Sequence, residues 1–161
     1  MKARLVPLYF QSDQDADFAN QLAALRRLLG GHAEILPPAA LGAPLPEADA
    51  VVLPQMLGDA YRRVPDFRAI GLSILVNTSE FGTVSMWDWE INRYLRTEGV
   101  EVFAPSSLEQ SLLICRTLAL KREPAGAKLL VFQENPGEGF QASIFKRFYW
   151  WEAECAQRMF E

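Results

Sequence analysis

Between Asn77 and Glu90 the chain reads NTSEFGTVSMWDWE, directly after the apolar run LSILV. Loops that follow buried strands are where a rigid sheet aims binding side chains. This one offers an amide at Asn77, carboxylates at Glu80 and Glu90, and an acid at Asp88 set between two tryptophans. Acids and amides at such positions suit hydrogen bonding to hydroxyl groups. The same residues have a structural use. Ser85-Met-Trp-Asp88 has the form of a capping box, in which the serine oxygen and the acid satisfy N–H groups at a helix start. Trp87, Ile91, Tyr94 and Leu95 share one helical face, which gives Trp87 a place in a core, while Trp89 falls off that face. Glu80-Phe81-Gly82-Thr83 have no helical duty, so the loop itself is the first candidate for a ligand contact.

A second candidate is QENPGEGFQASIF, where Gly137 and Gly139 stand between a strand and a helix. Free N–H groups at a helix start can hold an anion. The pattern lacks the third glycine of a dinucleotide fingerprint, and its two glutamates oppose a pyrophosphate, so a turn with Ser143 near the helix start is the competing reading. The third feature is SIFKRFYWWEAECAQRMFE. Ile144, Phe148, Trp151, Cys155 and Met159 form one apolar stripe, and Trp150 falls on the opposite side among Lys146, Glu154 and Gln157. An indole on a polar helix face marks an interface. Tyr149, Trp150 and Phe160 are therefore expected to contact a further domain or another subunit, and the chain stops within this helical pattern.

The elements that must position these residues alternate regularly. Strands are predicted near 3–10, 33–37, 49–54, 72–77, 100–104 and 127–133. Phe18, Leu22, Leu25 and Leu29 mark a helix that ends at Gly30-Gly31. Weaker helices follow near 59–70, interrupted by Pro65, and 85–98. A stronger one covers 107–122, with Leu108, Leu112, Cys115 and Leu118 or Ala119 on one face. Residues 38–47, PAALGAPLPE, read as an irregular connection. Such alternation predicts an α/β fold with an open, mostly parallel sheet and helices on both faces, a Rossmann-like or flavodoxin-like three-layer sandwich. Its ligands belong outside the carboxyl ends of the strands, here in a crevice between residues 77–88 and 133–141. His32 falls on the opposite edge and reads as a surface residue.

At 161 residues the chain is the size of a single domain, 1–161. A net charge of −4, with no run of basic residues, argues against nucleic acid. No apolar run reaches the length of a membrane span and no signal-peptide pattern opens the chain, so a cytoplasmic protein is expected. Cys115 and Cys155 lie in helical patterns and read as buried hydrophobes. One histidine and no metal-ligand spacing leave no predicted metal site.

The segments NTSEFGTVSMWDWEINRYLRTEG, FAPSSLEQSLLICRTLALKRE and FQENPGEGFQASIFKRFYWWEAEC resemble the N-terminal region of proteins related to L-fucose isomerase and, more distantly, L-arabinose isomerase. The resemblance covers the chain from about Ala48 onward. It implies a Rossmann-like N-terminal domain, followed by further domains in an oligomer, that helps to close a neighbouring subunit's sugar site. Enzymes of this kind interconvert aldose and ketose with a divalent metal, commonly manganese. That metal is implied for the full-length family and not for this chain, where no catalytic residue is assigned. Gln11, Glu80, Trp87, Asp88, Glu134 and Asn135 are the candidate contacts to a sugar or another polyhydroxylated ligand. The rival expectation is a stand-alone flavodoxin-like module, binding or regulatory, that holds a small ligand in the same strand-end crevice.

Overall fold

The computed structural model describes residues 1–56 and 58–122. Met1–Ala119 form one compact unit. The expected strand at 127–133 and the helical segment after it lie outside the described residues. The described chain runs β1 (Ala3–Tyr9), α1 (Ala16–Leu29), β2 (Ala33–Ile35), β3 (Ala39–Ala40), β4 (Ala50–Leu53), a 3₁₀ turn Gly58–Arg62, α2 (Val64–Arg68), β5 (Ser73–Val76), a 3₁₀ turn Met86–Asp88, α3 (Trp89–Thr97), β6 (Val102–Phe103) and α4 (Leu108–Arg122).

The strands make a parallel sheet in the order β2-β1-β4-β5-β6, with β3 also pairing β1. The fold is thus α/β, as the alternation predicts. Parallel strands covered on both faces are continuously apolar, and β4 (AVVL) is buried at every position. Successive side chains alternate between the faces. Leu5, Ala50, Val52 and Leu75 pack with Phe18, Leu22, Leu25 and Leu29 of α1 and with Cys115, Leu118 and Ala119 of α4. Val6, Val51, Leu53, Ile74 and Val76 pack with Phe67 of α2 and with Ile91 and Leu95 of α3 on the other.

Local chemistry sets the boundaries. Asp15 caps α1 by accepting from the Phe18 N–H at 2.8 Å, which satisfies one of the unpaired donors at a helix start. Pro65 stands within the first turn of α2, where its missing N–H costs nothing, and it divides the expected 59–70 helix into a 3₁₀ turn and a short α-helix. The expected strand 33–37 ends at Ile35, and a second short strand, β3, lies within residues 38–47, the expected irregular connection. Pro37 and Pro38 cannot donate to a ladder, and the pairing offset with β1 changes from Ala3↔Ala33 to Leu8↔Ala39, one residue longer, across them. No described helix is long and apolar enough to cross a membrane.

Candidate functional site

The chain leaves β1 toward β2 on one side and returns to β4 on the other, so the topological switch point lies between the loops that follow β1 and β4. Gln55, after β4, donates from Nε2 to Asp15 Oδ1 at 3.2 Å and links the two loops. Gln11 is exposed in the first of them. The adjoining loop, after β5, is the stretch with which the sequence analysis began, and it is the most heavily built of the three.

Its base is buried and polar. Asn77 and Thr78 follow β5 directly and are almost inaccessible. Asn77 extends the pairing with β4, its N–H donating to the Leu53 carbonyl at 3.0 Å. Its Nδ2 donates to the Gly82 carbonyl at 3.0 Å and to Ser111 Oγ at 3.3 Å. Ser111 in turn donates to the Gly82 carbonyl at 2.5 Å. The backbone between closes as a turn, with Gly82 N–H on the Ser79 carbonyl and Ser79 N–H on the Thr83 carbonyl. Gly82 has φ +76°, and a Cβ there would stand 2.7 Å from Leu108 Cδ1. Glycine is the residue that takes this backbone without strain. The tip, Glu80-Phe81, is left exposed.

Past the tip, Val84 N–H donates to the Pro105 carbonyl at 2.9 Å, and the chain turns into α3 through Met86–Asp88. The expected capping box is not formed. Ser85 makes no side-chain cap bond, and its own N–H, the donor that the acid should have satisfied, goes to Thr78 Oγ1 at 2.9 Å. Asp88 instead accepts from the Thr78 hydroxyl at 2.5 Å. Asp88 is 9% exposed. Burial raises its carboxyl above the ordinary 3.8, and the Thr78 hydrogen bond opposes that shift.

The tryptophans also differ from one expectation. Trp87 is 82% exposed and Trp89 45%, while the buried face holds Asp88, Ile91, Asn92 and Leu95. The core place given to Trp87 is corrected by the 3₁₀ turn. At three residues per turn it shifts the angular phase of everything before Trp89 relative to an α-helix. Phe81 and Met86 are exposed as well, so the loop presents a rim of three aromatic side chains and one methionine over a buried polar base.

Of the candidate contacts, Glu80, Trp87 and Asp88 share this one loop. Glu80 and Trp87 are exposed, and Asp88 is turned to Thr78. Gln11 stands two strands away, roughly 10 Å at the usual strand spacing. Glu134, Asn135, Tyr149, Trp150 and Phe160 lie outside the described residues. Sequence reasoning did not single out Thr78, Ser111 or Asn92 as part of the base. Asn92 follows Asp88 by one helical turn, and that spacing is the signal that could have found it.

Elsewhere, a cleft of about 610 Å³ lined by Leu8, Leu45, Pro46, Ile70 and Leu72 lies beside the connection 41–49, which crosses to β4 without a helix. Cys115 is fully buried, and burial pushes its thiol up to about 11, which leaves it a core residue. Among the described residues no three His, Cys, Asp or Glu side chains converge on a position for a metal ion. Compared with protein-family models, curated proteins and solved structures, the chain gives no match.

Proposed function

We propose that this chain is the N-terminal, substrate-enclosing and oligomer-forming part of an aldose–ketose isomerase-like protein of the L-fucose and L-arabinose type. Its role is to hold a polyhydroxylated ligand at the carboxyl end of β5. The observation that carries the reading is the pairing of exposed indoles, Trp87 and Trp89, with carboxylates at Glu80 and Asp88 on one anchored loop. An indole covers the C–H face of a sugar, and acids and amides take its hydroxyls. The divalent metal and the proton-transferring groups are assigned to other parts of the full-length protein.

The test is titration of the 161-residue chain with L-fucose, L-arabinose and their ketoses, read by tryptophan fluorescence and calorimetry. Millimolar, saturable binding is expected, on the order of −4 kcal/mol. Trp87→Ala should weaken it by roughly tenfold, about 1.4 kcal/mol. Because Trp87 is a surface residue, the same substitution should change stability by no more than about 0.5 kcal/mol. Absence of binding by every sugar overturns the proposal.

One observation favours a second reading, a stand-alone small-ligand module. Among the described residues the path β2-β1-β4-β5-β6 follows the five-strand flavodoxin-like order. In that case the ligand sits at the switch point, and its binding displaces the Gln55–Asp15 hydrogen bond. Asp13, Asp15 and Asp17 around that bond oppose a phosphate. Binding of a flavin or nucleotide without sugar binding would select this reading.

A further inference from the structure

Asn92 in α3 is 1% exposed, and among the described residues neither its Oδ1 nor its Nδ2 has a hydrogen-bond partner. Buried side-chain amides are otherwise almost always satisfied, and an orphan calls for an unseen partner. Asn92 stands one helical turn beyond Asp88, so the two share the buried face of the same segment. The only side-chain partner of Asp88 among the described residues is Thr78.

We infer that Asn92 is a binding residue for a hydroxyl group that the described residues do not supply, on the buried face it shares with Asp88. The chemistry of the guest follows from the two orphaned atoms. Oδ1 needs a donor and Nδ2 needs an acceptor. A metal cation satisfies only the oxygen, and an anion only the nitrogen. A hydroxyl both donates and accepts, so it satisfies both. Two sources carry that group, water and a polyhydroxylated ligand. In the free chain the guest is an ordered water, the usual occupant of such sites. A ligand hydroxyl then takes its place, a step that rests on the sugar-binding reading above.

The experiment is NMR of the Asn92 carboxamide in the 161-residue wild-type chain, assigned by its loss in Asn92→Leu. In the free chain a water cross-peak to the carboxamide protons is expected. L-fucose or L-arabinose at saturating fluorescence response should shift those protons and remove the cross-peak, while sulfate and potassium leave them unmoved. A cross-peak that survives sugar saturation would overturn the exchange of water for ligand and leave sugar binding elsewhere intact. A cross-peak in a chain that binds no sugar would support the hydroxyl site and defeat the sugar reading. The absence of both cross-peak and shift overturns the inference altogether. Melting of Asn92→Leu gives a second readout: a lower Tm is expected, because a satisfied amide is lost, whereas a true orphan replaced by an apolar side chain of similar size gives a higher one.

Discussion

Gly82→Ala lowers the stability of the chain by about 2–3 kcal/mol. The backbone contribution is roughly 1–2 kcal/mol, because φ +76° is left-handed backbone that an L side chain rarely adopts. The remainder is overpacking. The new methyl would stand 2.7 Å from Leu108 Cδ1, which must shift, and 3.2 Å from Leu28 Cδ1, which must give slightly, at the low end of overpacking costs, about 1 kcal/mol. The effect spreads because the Gly82 carbonyl accepts from both Asn77 and Ser111, and a shifted turn misaligns two buried hydrogen bonds. Urea unfolding should show a lower midpoint with an unchanged slope. A variant as stable as the wild type would mean that the turn relaxes freely, and that the tip carrying Glu80 and Phe81 is not held by α4.

The second large effect belongs to Asp88, and its sign depends on the replacement. Asp88→Ala leaves the buried Thr78 hydroxyl without its acceptor, a loss of about 1–3 kcal/mol. Asp88→Asn keeps an acceptor for Thr78 and removes the charge. The folded-state carboxyl titrates above 3.8, so the native chain binds the proton more tightly than the unfolded chain. Stability from this group is therefore fully present below the unfolded value and is lost as pH rises through the folded one. At neutral pH the ionised carboxylate is a net cost, and Asp88→Asn should melt at a higher temperature than the wild type. Toward acid pH the gap should close, as the wild-type carboxyl gains its proton. Melting curves of both proteins across pH 3 to 7, flat in difference or opening toward acid, would show that burial does not govern this carboxyl.

The fold was legible wherever one physical signal dominated. The four-residue runs of β4 and β5 can be buried only in a sheet covered on both faces, and the Phe18–Leu29 stripe ends where glycine allows it. Residues 38–47 read as an irregular connection, and only the partner strand shows that pairing resumes at Ala39 after a slip of register. Around Asp88 two signals competed. The S-x-x-D spacing satisfies a capping box, but Thr78, seven residues before Ser85, accepts the Ser85 N–H in place of the acid through a tertiary contact that spacing along one helix cannot reveal. Once the helix begins with a 3₁₀ turn, the α-helical phase that places Trp87 in the core no longer applies. Glu80 needed no tertiary information, since a residue at the tip of a tight turn has nowhere to go but outward.

The paired prolines of the β2–β3 strand also bear on solubility. This strand is one end of the described sheet path, and a sheet end with a regular row of free donors invites another chain to add itself. Leu36 turns its N–H inward to the Leu5 carbonyl, so the outward-facing donor next in line belongs to Pro37 and does not exist. The one-residue slip that follows displaces the outward groups beyond it from any straight template. An incoming strand would find its ladder broken after the first few residues, which makes this margin of the sheet a poor seed for aggregation while leaving its inner pairing with β1 intact.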